Sequence, residues 1–249
     1  MQSILDKARE MLKKQLEIAN IDFDTQVKIK VLSPQEAVGE DSSDQLAINR
    51  GPERVIEAEI NGEKGQAFTD VPVDWQGKLN DIFSFNLDII RHRAHFAATL
   101  NAACKLLGVC DGVIHCRDED PEKCGEKMAD KIEKDFYKPV IAMFGLQPFI
   151  AKALVKRFGK DNILIGDLNP ANIGQIKQGI KVYHGQNDAQ YLVDNCTIAL
   201  ITGSSVVNNT IDETLKLFEE KQKPYLLFGN TIAGVASLLK LNHFCPLSI

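Results

Sequence analysis

Chemistry-bearing residue types gather in one stretch of this sequence, Asn195 to Thr210. An apolar, β-branched run, Thr197 to Ile201, stops abruptly at Thr202-Gly203-Ser204-Ser205, and Asn208 follows. That composition predicts a buried strand entering a loop, with a helix behind it that carries Ile211, Thr214, Leu215 and Phe218 on one face. Thr210 and Glu213 have the spacing of a capping box at the start of that helix. A Gly/Ser loop before a helix offers unpaired N–H groups and hydroxyls to a small polar or anionic ligand. Turn chemistry also explains each of these residues taken singly, and on this stretch alone it is the favoured reading.

Further polar residues are expected at the ends of neighbouring strands: Asp167 and Asn169, His184, and Asn230 with Thr231. In an open α/β sheet such ends share one rim, where ligands bind. Asp167 could hold a hydroxyl or a cation, and Asp167 and His184 are the candidate general bases. Asp167 lies at the distance from Gly145 where dinucleotide folds place a ribose-binding carboxylate, but the first turn has one glycine where that fingerprint has three. Dinucleotide binding is therefore disfavoured.

Metal chemistry has two candidate sources. Asp88, His92 and His95 are spaced to share a helix face, and carboxylate and imidazole suit divalent transition metals. A hydrogen-bonded helix surface is the stronger reading, because Arg91 and Arg93 flank the set. Cys110, His115, Cys116 and Cys124 form a looser group whose spacing is not that of a structural zinc site. Cys124 keeps register with Met128, Ile132 and Phe136, which favours core burial, and His115 and Cys116 remain open. The metal candidates are therefore His92, His95, His115 and Cys116. The sequence names no cofactor, although a divalent or heavy metal is compatible with these residues.

The elements that must position these groups follow from hydrophobic periodicity. Ser3 to about residue 18 reads as an amphipathic helix with a Ser3/Asp6 cap. Thr25 to Ser33 reads as a strand and residues 34 to 50 as a polar loop. Val55 to Ile60 and Glu63 to Thr69 alternate around Asn61-Gly62, the dipeptide favoured by type I′ hairpins. Helical spacing covers Asp88 to Leu107, with Gly108 as its cap, and another helix opens at Asp120-Pro121. From Pro139 short apolar strands (140–144, 162–165, 181–184, 197–201, 224–228) alternate with helices (148–158, 187–194, 231–240), and a last strand is expected near 243–247. The expected fold is α/β: an α+β domain over residues 1–85, a helical junction over 86–138, and a parallel-sheet domain over 139–249.

A formal charge of -5 and a pI near 5.6, with no basic stripe, argue against nucleic acid as the main partner. No apolar run is long enough to span a bilayer and no signal-peptide core is seen, so a cytoplasmic location is expected, away from membranes. Six cysteines without a C-x-x-C pair are expected to be mostly reduced there. The expected partner is a small molecule or metal chelate, and self-association is compatible with the sequence.

Leu200-Ile-Thr-Gly-Ser-Ser-Val-Val-Asn-Asn-Thr-Ile-Asp-Glu213 resembles the I-T-G-S-T-x-V-N-G-T signature of the putative heavy-metal chelation family, long carried as a domain of unknown function. Ile165 to Pro170 is similar to that family's E-L-N-P segment, Phe228 to Thr231 to its G-P-T turn, Ala97 to Ala102 to an A-x-x-N-A helix, and Gly65 to Thr69 to a G-x-A-x-T hairpin strand. Asn209 stands where the family has glycine, Asp167 where it has glutamate, and Asn230 where it has proline. The resemblance implies an enolase-N-terminal-like domain followed by a Rossmann-like domain, with a ligand site where they meet. There Thr202, Gly203, Ser204, Ser205 and Asn208 would bind ligand, with Asn169, Asn230, Thr231 and, from the junction helix, Asn101. The expected role is binding of an anionic or metal-chelating metabolite. The alternative is an enzyme that condenses or hydrolyses a small heteroaromatic or phosphorylated compound.

Overall fold

The apolar spacing near the start of the chain produces helix α1, Ile4–Ile18, in a computed structural model that describes residues 2–39 and 53–249. The Ser3 side chain accepts the Asp6 N–H, as its spacing predicts, and Ile4, Leu5, Ala8, Leu12 and Leu16 are buried. Strand β1 is Gln26–Val31. Residues 34–39 do not follow the loop expectation. Helix α2, Pro34–Val38, opens on a capping box in which Ser33 and Glu36 each bond the other's backbone. The remainder of the expected loop, 40–50, lies outside the described residues.

Strands β2 (Arg54–Ile60) and β3 (Glu63–Thr69) form the expected hairpin. Its two turn residues, Asn61 and Gly62, take φ of 50° and 86°, the left-handed conformation that a type I′ turn demands. Strand β4 (Trp75–Lys78) completes an antiparallel sheet of order β3-β2-β1-β4, and helix α3 (Leu79–Phe83) follows it.

Helix α4, Ile90–Leu106, packs across this sheet. Every residue from Arg93 to Cys104 is buried, so the helix is enclosed on all sides rather than along one stripe. The close approach needs Gly65: a Cβ there would lie 2.2 Å from the Ala102 amide nitrogen. Alanines at 97, 98, 102 and 103 serve the same purpose from the helix side.

Helix α5 (Asp120–Asp135) leads into the second sheet. Its strands are β5 (Ile141–Phe144), β6 (Ile163–Asp167), β7 (Ile176–Lys177), β8 (Ile180–His184), β9 (Ile198–Thr202) and β10 (Tyr225–Phe228), in the order β10-β9-β5-β6-β8-β7. Neighbours are parallel except the short edge pair β7–β8. Helices α6 (Pro148–Phe158), α7 (Ala189–Asn195), α8 (Ser204–Val207), α9 (Ile211–Glu220) and α10 (Ala233–Leu239) connect and cover them. The α/β fold class expected from periodicity is thus observed, with two sheets.

Two local expectations are corrected. The strand near 243–247 reduces to a single bridge between Leu227 and His243. Thr210 makes no side-chain cap on α9, and Glu213 instead accepts from the Gln186 side-chain amide. Spacing alone could not reveal that Thr210 faces a cavity or that Glu213 has a competing partner.

One cluster of buried side chains runs from α1 through the antiparallel sheet and α4 to one face of the second sheet, where it includes Ala142, Ala199 and Leu227. A second cluster fills the other face beneath α5 and α6. Among the described residues no helix is long and apolar enough to cross a membrane.

Candidate ligand cleft

Chain order in the second sheet reverses between β5 and β9. The connection from β5 leads outward to β6 and β8, whereas β9 and β10 lie on the opposite side. Diverging connections leave a crevice beyond the carboxyl ends of the two central strands. A cleft of about 450 Å³ lies there. Its floor is the turn after β5 together with the Thr202 to Ser205 turn after β9. Gly145, at φ 91°, lets these turns pass, since a Cβ on it would meet Thr202 Cγ2 at 2.4 Å. The second turn is fixed from within: the Gly203 N–H donates to Phe228 O at 2.7 Å and Ser205 Oγ donates to Thr202 O at 2.6 Å. Asn209 adopts φ 60° and keeps the left-handed conformation that glycine provides elsewhere, which asparagine tolerates better than most residues. The opposite wall comes from the first sheet and its neighbours, including Glu53, Phe68, Asp70 and His115.

Thr202, Gly203, Ser204, Ser205 and Asn208 all line this cleft, as do Asn169, Asn230, Thr231 and Asp167. Asp167 ties its two turns together, because its carboxylate accepts the Leu146 N–H at 2.6 Å and the Asn169 N–H at 2.7 Å. Thr231 Oγ1 accepts the Phe68 N–H at 3.1 Å, joining the β10 turn to β3. Asn230 Nδ2 donates to Gln66 O and Val113 O, while its Oδ1, in a side chain almost wholly buried, has no protein donor.

Of the expected ligand-binding residues and bases, Asn101 and His184 are not among the lining. Asn101 is fully buried and spends its whole amide on structure: Nδ2 reaches Gln66 O, Asn230 O and Thr231 O, and Oδ1 accepts the Gly234 N–H. It fastens the antiparallel sheet to the second one instead of meeting a ligand. His184 closes its own turn, its Nδ1 accepting from the N–H groups of Gln186 and Asn187 at 3.2 Å each. It sits at the end of β8, outside the cleft lining.

The turns that build the cleft are also the segments that carry the family signature. Residues 132–241 match the DUF364 family. That family is described as "Putative heavy-metal chelation", and the match includes Leu200 to Glu213, Ile165 to Pro170 and Phe228 to Thr231. Among solved structures, the chain is similar to a DUF364 protein of unknown function from Pyrococcus horikoshii, with 17% identity, a TM-score of 0.51 and coverage of 92% of this chain and 79% of that one. A second DUF364 protein of unknown function, from Desulfitobacterium hafniense DCB-2, gives 13% identity and a TM-score of 0.51, covering 94% and 83%. At these identities the likeness establishes the fold. No curated protein matches.

The DUF364 description invites a test of the four expected metal ligands, and they do not come together. His92 stacks on Phe85 with ring centroids 4.4 Å apart, its Nδ1 bonded to Asn86 O. His95 is buried near Trp75 and donates from Nε2 to Val73 O at 2.8 Å. His115 and Cys116 do line the cleft, but burial holds the imidazole down to about 4 and pushes the Cys116 thiol up to about 12. At neutral pH these are a neutral ring and a protonated thiol, a poor start for a thiolate metal site. Among the described residues no group of three or more His, Cys, Asp or Glu is placed to hold a metal ion.

Glu53 is the site residue that sequence reading missed. It precedes β2, directly after a polar segment with no periodicity to mark it. Its carboxyl lines the cleft and is pushed up to about 7, first by desolvation and then by the charges of Asp167 and Asp70. Phe68, Phe144, Phe228 and Phe244 provide apolar surface around these acids.

Proposed function

We propose that the cleft binds a small organic metabolite, neutral or cationic and able to chelate a metal. On this reading the DUF364 description, heavy-metal chelation, is served by the metabolite and not by protein side chains gripping a bare ion. The observation that carries the proposal is the charge of the lining. Glu53, Asp70 and Asp167 are all present, and no lysine or arginine is found among the described lining residues. Glu53 is raised first by desolvation and then by the charges of Asp167 and Asp70, and those same charges oppose an incoming anion, so anionic and phosphorylated ligands suit this cleft poorly. The phenylalanines favour a flat apolar body. Thermal unfolding in the presence of an amino-substituted nitrogen heterocycle and of its phosphorylated derivative tests this. The first should raise the midpoint by roughly 5 °C at saturation and the second should not, with the shift reduced in Ser205→Ala and Asn208→Ala. A larger shift from the phosphorylated compound would end the proposal.

Glu53 supports a second reading, an enzyme that condenses or hydrolyses a small heteroaromatic compound in the same cleft. A carboxyl titrating near neutrality can both take and return a proton at working pH. Turnover should fall about 10²- to 10⁴-fold in Glu53→Gln, with binding retained. Unchanged turnover in that variant would remove Glu53 from the chemistry.

A further inference from the structure

Apart from the short edge strand β7, the second sheet runs β8-β6-β5-β9-β10. That is the 3-2-1-4-5 order of dinucleotide-binding sheets, with β5 as the first strand and β6 as the second. In such sheets the turn after the first strand seats a pyrophosphate on helix N–H groups, and an acid at the end of the second strand takes the ribose 2′-hydroxyl. This chain keeps the second seat and has closed the first.

The acid is Asp167, the last residue of β6 and part of the cleft lining. Its Oδ1 accepts the Asn169 N–H at 2.7 Å and Asn172 Nδ2 at 3.4 Å. Among the described residues its Oδ2 accepts the Leu146 N–H alone, at 2.6 Å. A carboxylate oxygen can accept twice, so Oδ2 keeps a place for a hydroxyl. Phe144, another lining residue, pairs in register with Gly166, the neighbour of Asp167, so apolar surface for a flat base begins beside that place.

The phosphate seat is filled from within. Gly145 makes the tight turn at φ 91°, but Gln147 and Ile150 stand where the dinucleotide fingerprint has its second and third glycines. Gln147 Oε1 accepts the Ile150 N–H at 2.6 Å, and Pro148 brings no N–H to the first turn of α6. The Gly145 N–H is spent on Gly166 O at 2.8 Å and the Leu146 N–H on Asp167. The donors that would hold a phosphate here are thus turned inward.

We propose that the cleft takes a ribonucleoside, a heterocycle carrying a neutral vicinal diol, with Asp167 Oδ2 accepting its 2′-hydroxyl and no phosphate on the α6 turn. This rests on the reading that the cleft binds a small heterocyclic metabolite without negative charge, and it adds the sugar. A volume of about 450 Å³ holds base and sugar together, within the roughly 300–1,000 Å³ of small-molecule sites.

The test titrates the full chain calorimetrically with adenosine, guanosine, cytidine and uridine. The 2′-deoxynucleoside, free base and 5′-monophosphate of the tightest binder follow. At least one ribonucleoside should bind at millimolar concentration or below, and its 2′-deoxy form about tenfold more weakly. Asp167→Asn should bring those two forms to one affinity. No binding by any ribonucleoside, or equal affinity of the ribo and deoxy forms for the unmodified chain, would overturn the inference. A free base that binds as tightly as its nucleoside would overturn it too, while leaving the broader reading of the cleft intact. A monophosphate that binds more tightly than the nucleoside would sink both. The ribo and deoxy forms are compared on the unmodified chain, so that arm decides even if Asp167→Asn fails to fold.

Discussion

Replacing Glu53 with glutamine is expected to stabilise the protein above neutral pH and to leave its stability unchanged at pH 4. The carboxyl titrates at about 7 in the folded chain against 4.5 for the unperturbed group. Below 4.5 both states hold the proton, and amide and acid are equivalent. Between 4.5 and 7 the unfolded chain has released its proton while the native one retains it. The native state then loses ground as pH rises, by about 1.4 kcal/mol for each unit. Above 7 the folded state carries a desolvated charge beside Asp167 and Asp70, and the accumulated loss reaches about 3 kcal/mol as an upper bound. Glutamine titrates nowhere in this range and escapes the loss. Urea unfolding of both proteins at pH 4, 6 and 8 measures the difference, which should widen with pH. Curves that stay parallel from pH 4 to pH 8 would show that the carboxyl is not strained in the native state.

A larger loss is expected from Asn101→Ala, about 3–5 kcal/mol at any pH. Four hydrogen bonds converge on this one amide inside a helix with no exposed residue nearby. Alanine would leave the Gly234 N–H and the carbonyls of Gln66, Asn230 and Thr231 to find other partners in the interior. The alanine is also smaller, so a polar void adds to the cost. Thr231 Oγ1 on the Phe68 N–H is a separate tie between the same two regions, so the variant should still fold at low temperature. Denaturant midpoints at constant slope read the effect. A loss below about 1 kcal/mol would mean that water takes over the amide's bonds, and Asn101 would then be a minor contributor.

Much of this arrangement was legible in the residues. The Asn61-Gly62 turn, the α1 cap at Ser3 and the alternating strands after Pro139 depend on local chemistry that a sequence states directly. So does the Thr202 to Ser205 bend at the cleft. The failures share a cause, since each needed knowledge of a distant partner. Asn101 read as a ligand group from its place in the A-x-x-N-A segment of the junction helix. Its partners lie up to 133 positions away, at Gly234. His92 and His95 read as a metal face from their spacing, yet Phe85, Asn86 and Val73 had already claimed their rings. Glu53 carried no pattern at all. Only folding brings it opposite Asp167, and only then does its carboxyl become unusual.

Helix α4 belongs to neither sheet alone. Its enclosed stretch from Arg93 to Cys104 supplies interior to the hairpin on one side and to the crossover layer on the other. Each sheet would thus show water a bare oily flank if the chain were split at either end of that helix. The cleft inherits this dependence: its two walls are carried by separate sheets, and their spacing is set by a shared rod of alanines between them.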